Sequence, residues 1–426
     1  MDKFMNWMDV HVTPLASKLG SNAYLKAISG GFVAVMSATI VGSIFTLLGN
    51  LPITAWTNFI SSTGLNAILA LPGQVTTDII AMYFVFFCAY NLARTFGVDG
   101  GGAGLACLVS FMLVTGRDET GAISTGFLGS RGLFTAIIIA LLGARLFIYV
   151  VKKGWVIKLP DSVPPNVSAS FSALIPTGVV VLVWLIVAGI MRGTSFGTLH
   201  NLIFTVIQQN LMRFVGNNVG AYVFFQLMCN LLWFFGLHGG NITGSITNPI
   251  YTPLSLENFA AYQAGATEMP YIITGAFSKS YMSGGVGSMF GMAIVMCLFC
   301  KSQQMKILGR LSLPTTMFFI NEPLLFGIPV VLNPLFFLPL MLFTPIMGII
   351  TYFLMKVGIV PTPIGAQIPW TMPPVLNGLI QGGHRPIAMA IYEALTVVAS
   401  GLVWYPFVMI ADRQALREEQ GLENAD

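Results

Sequence analysis

Nine separate apolar runs, most of them long enough to cross a lipid bilayer, dominate this sequence. A spanning α-helix needs roughly 20 mostly apolar residues, because the hydrocarbon core of a bilayer is about 30 Å thick. Charged residues make up only 8% of the 426 residues, whereas ordinary soluble domains carry about 25%. The pattern predicts an all-α polytopic membrane protein with about ten transmembrane helices. It excludes an ordinary soluble fold.

The nine runs that we interpret as spans are separated by shorter segments, some of which are apolar enough to enter the membrane without crossing it. A tenth span therefore has no assigned position. The nine runs are Ile28–Leu48, Thr77–Leu92, Gly100–Thr115, Gly132–Val151, Phe171–Met191, Gly220–Leu237, Gly285–Phe299, Val330–Leu354 and Ile387–Ile410.

The distribution of Lys and Arg over the short loops predicts the orientation of the chain. The N-terminal segment carries three lysines, residues 49–76 carry no basic residue, and residues 152–158 carry three lysines again. Because cytoplasmic loops are enriched in Lys and Arg, the N-terminus is expected in the cytoplasm, although Arg117 and Arg131 would then lie outside. Residues 1–20 mix charged and apolar side chains and predict an amphipathic surface helix. The small net charge of +4 is scattered and does not indicate a nucleic-acid surface.

The character of the chain changes near residue 191, after five regular aliphatic spans. We predict a scaffold domain over residues 1–191, which includes the N-terminal helix and spans 1–5. An interfacial amphipathic linker is expected over residues 192–219, a substrate-binding transport domain over 220–412 and a cytoplasmic tail over 413–426. In the linker, Leu199, Leu202, Ile203, Val206 and Ile207 share one helical face, with His200, Asn201, Gln208 and Gln209 elsewhere.

Three polar stretches rich in Gly and Pro interrupt the apolar pattern of the second half. They are His238–Pro253, Pro314–Pro334 and Pro361–Pro386. Non-helical backbone at membrane depth is tolerated only where protein buries it or water reaches it, and transporters place their substrate sites at such interruptions. The stretches therefore predict broken or re-entrant segments around a substrate.

Glu322 is the single charged residue in the 45 residues from Leu311 to Met355. A carboxylate at the centre of a spanning helix costs at least about 2.5 kcal/mol, so such a residue is expected to face a cavity, a partner or a substrate. Pro323 follows it directly and disfavours a regular helix through the preceding residues. Glu393 lies two helical turns after Arg385-Pro386 and is interpreted instead as a structural partner near a helix end.

A second candidate group surrounds the first interruption. Gln226, Asn230 and Trp233 recur on one helical face, where hydrogen bonds between helices and the lining of a cavity are equally good interpretations. His238 lies between a span and the double glycine 239–240, which allows close approach of a ligand to the backbone. We therefore expect His238 to be functional.

Trp370 lies in a Pro-rich segment of the third interruption. Sugars present flat C–H faces that pack on indole rings, but Trp is also common at membrane interfaces, and the residue alone leaves both interpretations open.

No Gly-x-x-x-x-Gly-Lys-Ser/Thr loop occurs in the chain, so nucleotide hydrolysis is not expected. No cofactor or metal site is predicted.

These segments together resemble the membrane subunit, enzyme IIC, of bacterial phosphoenolpyruvate-dependent sugar phosphotransferase systems, in the lactose/cellobiose/diacetylchitobiose branch. The resemblance extends over nearly the whole chain. The motifs that carry it are Trp233-Phe234-Phe235-Gly236-Leu237-His238-Gly239-Gly240-Asn241, Phe319-Ile320-Asn321-Glu322-Pro323 with Phe326-Gly327 and Pro329, Pro164-Pro165-Asn166-Val167-Ser168 with Phe171, and Pro369-Trp370.

The resemblance implies an elevator-type homodimer in the bacterial inner membrane, with ten spans and two re-entrant hairpins per protomer and both termini in the cytoplasm. It implies import of a β-linked disaccharide, whose 6-hydroxyl is phosphorylated by a separate IIB protein that IIA recharges. The chain ends soon after its last span, without an appended IIB domain, which favours a cellobiose or diacetylchitobiose substrate over lactose.

The resemblance also assigns roles to individual residues. Glu322 is expected to accept the proton of the reacting hydroxyl, and His238 to orient that hydroxyl or balance its charge. Trp233, Asn241, Asn321 and Trp370 are expected to bind the sugar. The alternative is an ion-coupled sugar symporter in which Glu322 is a proton or sodium site.

Overall fold

The computed structural model describes residues 18, 21–50, 54–117, 121–160, 162–328 and 330–420. Most of the expected N-terminal surface helix, Pro329 and the last six residues of the tail lie outside the described residues. The described part is helical and has no β-strand beyond one isolated bridge between Arg117 and Ile123. The all-α prediction is confirmed.

The described residues divide into two compact units. The first contains the described residues up to Phe214 together with Gly244–Leu256, and the second contains Val215–Thr243 and the described residues from Glu257 onward. The helices of the first unit are α1 (Ala23–Gly49), α2 (Thr54–Ser62), α3 (Leu65–Gln74), α4 (Ile80–Thr95), α5 (Gly100–Val114), α6 (Leu133–Lys152), α7 (Pro165–Ser172), α8 (Leu174–Arg192), α9 (Leu199–Ile203) and α10, which begins at Gln209 and ends at Val215.

The core of the first unit is built around α4, which packs against α1, α5 and α6. Small residues allow these helices to approach closely, as is usual between helices in membranes. A Cβ at Gly104 in α5 would lie 2.9 Å from the ring of Phe86 in α4. The N-terminus of α5 is capped by Asp99, which accepts hydrogen bonds from the backbone nitrogens of Gly101 and Gly102 at 3.1 and 2.8 Å.

Residues 199–215 form an almost continuous helical run, with a π-helical turn between α9 and α10. Its buried side contains part of the predicted apolar face, because Leu199 and Ile203 are buried. His200 and Gln208 are fully buried, whereas Val206 and Ile207 are exposed. His200 Nε2 lies 3.1 Å from the hydroxyl of Thr115, and Gln208 donates to the carbonyl of Ser130 at 3.0 Å. Long-range hydrogen bonds therefore accompany the burial of two residues that the sequence placed outside the apolar face.

The second unit contains the second and third interruptions and residues 238–243 of the first. Its helices are α11 (Val219–Phe234), α12 (Gly239–Gln263), α13 (Met289–Phe299), α14 (Gln303–Met317), α15 (Glu322–Gly327), α16 (Pro334–Lys356), α17 (Leu376–Gln381) and α18 (Pro386–Glu419). The middle of α12 belongs to the first unit and both of its ends to the second.

The helices agree well with the nine apolar runs of the sequence. Six described helical segments are long and apolar enough to cross a membrane. They are Ala23–Gly49, Leu65–Thr95, Ser130–Lys152, Val167–Arg192, Pro334–Lys356 and Pro386–Glu419. The three remaining runs coincide with the shorter apolar helices Gly100–Val114, Val219–Phe234 and Val286–Phe299.

The interruptions differ from one another in the structure. The first was expected to break the helix, yet α12 continues through Pro249 and Pro253. A proline removes one backbone hydrogen bond and bends a helix, and the remaining bonds of this long helix continue on both sides. The second stretch is broken on either side of α15, and the third contains no regular helix until Leu376, as predicted.

Candidate functional site

The turn between α11 and α12 brings Trp233 and His238 into direct contact. Their ring centroids are 4.3 Å apart, with Trp233 buried and His238 exposed. A Cβ at Gly239 would overlap the carbonyl oxygen of Cys229, so only glycine permits this tight turn. Two of the predicted site residues therefore form one surface, with an imidazole at its rim and an indole beneath it.

Hydrogen bonding determines which nitrogen of His238 can donate. Its Nδ1 accepts from the backbone nitrogen of Asn241 at 3.1 Å and thereby caps α12. The neutral ring then carries its proton on Nε2. The arrangement leaves an N–H donor on the exposed edge of His238, while the side chain of Asn241 is exposed nearby in the first turn of α12.

Glu322 begins the short helix α15, directly after a strained turn. Helix α14 ends at Met317, and Phe319 adopts a φ of +67°, a conformation that non-glycine residues rarely take. The Glu322 side chain is half-buried and has no hydrogen-bond or ion-pair partner among the described residues. A partly buried carboxylate without a protein partner is costly and is typical of a group that meets a substrate or a proton.

Asn321, the neighbour of Glu322, is buried in protein packing. Its amide nitrogen points to the carbonyl oxygen of Val286 at 3.4 Å and to the sulfur of Met289 at 3.7 Å. Its own carbonyl accepts the backbone nitrogens of Leu324 and Leu325 and so starts α15. The structure therefore gives Asn321 a positioning role beside Glu322, and direct contact with a sugar stays a prediction.

One buried apolar cluster connects the His238 turn with the Glu322 segment. Trp233 and Phe234 share it with Leu324 and Leu325 of α15. The backbone nitrogen of Leu332 also donates to the carbonyl of Phe234 at 2.9 Å. The two motifs that carry the family resemblance are therefore joined in one packed region, although about 80 residues separate them in sequence.

Trp370 lies in the extended part of the third interruption, and its side chain is 52% exposed. Three buried polar side chains hold this stretch in place. Asn258 donates to the carbonyl of Pro363 at 3.0 Å, and Gln381 pairs with the backbone of Gly365 and Ala366 at 3.0 and 2.8 Å. An exposed indole on a backbone fixed in this way is suited to packing against a ligand.

The third of these side chains is Glu393, which the sequence interpretation placed at a helix end. That interpretation is confirmed, because Glu393 caps α17. Its carboxylate accepts the backbone nitrogens of Val375 and Gly378 at 2.8 and 2.9 Å and the side-chain amide of Asn377 at 2.5 Å. Glu393 is only 1% exposed, so it stabilises the loop that carries Trp370 and does not meet a ligand itself.

Lys279 is a residue of this region that the sequence interpretation missed. Its ammonium donates to the carbonyl of Trp370 at 2.8 Å and lies 3.8 Å from the centroid of the Phe319 ring. Burial lowers the pKa of Lys279 to about 7. A signal was present in the sequence, because Lys279 is the only Lys or Arg between Arg213 and Lys301.

Gln226 and Asn230, for which two interpretations were open, are hydrogen-bonded between helices. Both donate to the hydroxyl of Thr344 in α16, at 3.3 and 2.8 Å, and Gln226 also donates to Asn230 at 3.0 Å. These bonds satisfy the polar face of α11 inside the second unit. The structural interpretation is therefore confirmed for these two residues.

The described side chains contain no group of three or more His, Cys, Asp and Glu residues that could hold a metal ion. The available chemistry is that of an unpaired carboxylate, an imidazole N–H and two indole rings. Such a set can bind hydroxyl groups, pack on a sugar ring and accept one proton.

Comparison with known proteins identifies a family model that matches most of the chain. The model, described as "Phosphotransferase system, EIIC", matches residues 29–344. The chain is 35% identical to the lichenan permease IIC component of Bacillus subtilis (strain 168), over 99% of this chain and 97% of that protein. It is also 35% identical to the cellobiose-specific EIIC component of the phosphotransferase system of Geobacillus stearothermophilus, with the same coverage of both proteins.

A solved structure is also similar along almost its entire length. The crystal structure of the transporter ChbC, the IIC component of an N,N'-diacetylchitobiose-specific phosphotransferase system, matches with a TM-score of 0.92 and 34% sequence identity. The match covers 97% of this chain and 99% of that one. The similarity extends to the complete fold, including the interrupted second half.

Proposed function

This chain belongs to the EIIC family of the phosphotransferase system, and on that premise we propose that it imports a β-linked disaccharide which is phosphorylated as it enters the cell. The family's members are the membrane-embedded sugar permeases of these systems. The main support for the proposed site is Glu322, whose half-buried carboxylate has no hydrogen-bond or ion-pair partner among the described residues.

The proposed reaction transfers a phosphoryl group from a phosphocysteine of a separate IIB protein to the 6-hydroxyl of the sugar. The hydroxyl oxygen forms the new O–P bond, the S–P bond breaks, and the cysteine leaves as a thiolate. The hydroxyl proton passes to the Glu322 carboxylate. Phosphoryl transfer depends mainly on positioning and charge stabilisation, so a single well-placed base in this protein is sufficient for the reaction.

His238 supplies the second part of this proposal. With Nδ1 occupied by the Asn241 backbone, the Nε2–H is free to donate to an oxygen of the sugar and orient it. Trp233 packs against the same imidazole and restricts its rotation. The C–H faces of the sugar would pack on the indole rings of Trp233 and Trp370, while Asn241 binds a hydroxyl group.

The substrate is proposed from the relatives together with the aromatic surfaces. Cellobiose and diacetylchitobiose appear in the names of similar proteins, and both are β-1,4-linked disaccharides. The exposed indole of Trp370 suits packing against one ring of such a ligand. Within this pair the diacetylated sugar is favoured, since the structural similarity to a diacetylchitobiose transporter covers 97% of this chain.

The assembly and orientation are proposed on the same basis. Residues 1–191 would form the dimer scaffold and residues 220–412 the transport domain that carries the sugar across as a unit, in an elevator-type motion. Both termini would lie in the cytoplasm of a bacterial inner membrane. The IIB protein, recharged by IIA, would dock at the cytoplasmic side.

A vesicle assay tests the proposal directly. Vesicles containing the protein are given labelled diacetylchitobiose or cellobiose, with IIA, IIB, enzyme I, HPr and phosphoenolpyruvate inside. We expect phosphorylated sugar to accumulate only with the complete phosphoryl chain. Gradient-driven accumulation of unmodified sugar without phosphoenolpyruvate would instead establish the symporter alternative.

The Glu322→Gln variant tests the role of the carboxylate. It keeps the size of the side chain but removes the base, so we expect sugar binding within about threefold of wild type and phosphorylation reduced by about 100-fold or more. The exposed Glu268 offers a matched control, and Glu268→Gln should behave as wild type. Undiminished phosphorylation by Glu322→Gln would remove Glu322 from the reaction.

A further inference from the structure

Lys279 is held rigidly in a turn between α12 and α13. Its backbone nitrogen donates to the carbonyl of Ala276 at 3.2 Å, and the neighbouring Phe277 and Ser280 are fully buried. The turn fixes the starting point of the Lys279 side chain.

The ammonium of Lys279 contacts two segments that carry proposed site residues. It donates to the carbonyl of Trp370 and lies over the Phe319 ring, three residues before Glu322. The centroid of the Trp370 ring is 5.9 Å from the same nitrogen. A positive charge over aromatic faces is favourable, but an aromatic ring satisfies an N–H donor less well than an oxygen does.

The hydrogen bonds of this ammonium are incomplete. A lysine ammonium has three N–H donors, and among the described residues only the Trp370 carbonyl accepts from it. No described carboxylate forms an ion pair with it. A partly buried cation is costly unless an acceptor completes its shell, and two of its N–H groups remain available for one.

We propose that Lys279 is a specificity-determining residue whose ammonium binds an acceptor oxygen on a substituent of the sugar ring that packs at Trp370. This inference rests on the proposed disaccharide site. Charge-assisted hydrogen bonds strengthen with the negative charge on the acceptor. Lys279 therefore favours a carboxylate over an acetamide carbonyl, and an acetamide carbonyl over a hydroxyl.

The test compares sugar binding by full-length wild type, Lys279→Met and Lys279→Arg in nanodiscs, using titration calorimetry. The ligands are cellobiose and diacetylchitobiose, which carry a hydroxyl and an acetamide group, respectively, at the same position of each ring. Methionine keeps the apolar stem but removes the charge, so we expect the preference for diacetylchitobiose over cellobiose to fall by about tenfold. Lys279→Arg should retain this preference.

The control is Lys301→Met, the same substitution at an exposed lysine, which should leave both affinities unchanged. An equal loss for every ligand in Lys279→Met would overturn the inference, because it would show that Lys279 only positions the Trp370 segment. Unchanged affinities would overturn it as well. Normal disaccharide binding by wild type separates these results from a failure of the proposed function, in which wild type binds neither neutral disaccharide.

Discussion

Replacement of Glu393 by alanine should loosen the segment that carries Trp370. The carboxylate accepts two backbone N–H groups and the amide of Asn377, all at hydrogen-bond distance and away from solvent. Each buried donor left without an acceptor costs about 1–3 kcal/mol. Removal of the carboxylate also relieves its own desolvation, so we expect a net loss of about 3–5 kcal/mol, as for other broken buried polar pairs.

The local equilibrium of the segment should therefore shift by a factor of roughly 100 to 4,000, since 1.4 kcal/mol corresponds to tenfold. The assay measures thermal unfolding in detergent and, separately, disaccharide affinity. Glu393→Ala should unfold at a lower temperature and bind sugar more weakly, because Trp370 is no longer fixed.

Two further variants test whether the Glu393 carboxylate holds this segment. Glu393→Gln keeps one oxygen for the backbone N–H groups but presents an amide to Asn377, so its cost should be about 1 kcal/mol. The exchange Glu393→Gln with Asn377→Asp returns an acceptor to that amide and should recover part of this loss. If Glu393→Ala unfolds and binds sugar as wild type does, the carboxylate does not hold the segment.

Three other perturbations have expected outcomes. His238→Ala removes the Nε2–H donor and the ring that packs on an indole, so the KM for sugar uptake in vesicles should rise by about tenfold. An unchanged KM would contradict sugar binding by His238. Gly291→Ala would place a Cβ 2.6 Å from the hydroxyl of Ser400 and against α18, so the unfolding temperature should fall. The control Gly189→Ala has open space around it and should not lower the unfolding temperature. Sugar affinity should decrease as the pH rises through about 7, because the Lys279 ammonium loses its proton there. Calorimetry at pH values of roughly 6 and 8 should show this decrease for wild type but not for Lys279→Arg. The groups in contact with the ammonium are a carbonyl and two aromatic rings, and none of them titrates in this range.

The membrane architecture of this protein is largely contained in local sequence. Apolar runs predict the spans, because a helix in lipid must satisfy its backbone internally and present apolar side chains to the hydrocarbon. The second and third interruptions were also predictable from their Gly and Pro residues. The first was not, because whether a proline ends a helix or only bends it depends on the surrounding packing.

The candidate site was predictable only in part. Glu322 and His238 stand out because an isolated polar residue in an apolar stretch has no local explanation. Asn321 has the same appearance in the sequence, yet its side-chain amide donates to the backbone carbonyl of Val286, 35 residues away. A sequence shows that a polar group needs a partner but does not show whether the fold provides one.

The sequence alone thus determined that this chain is an α-helical membrane protein with a polar, interrupted second half, because hydropathy and backbone breaks are local properties. The tertiary structure decided which polar groups are satisfied inside the protein and which remain available. Asn230 finds Thr344 across 114 residues of chain, and Lys279 finds the Trp370 carbonyl across 91. Such pairings depend on how distant segments pack, and they leave Glu322 without a partner in the described protein while giving Glu393 three.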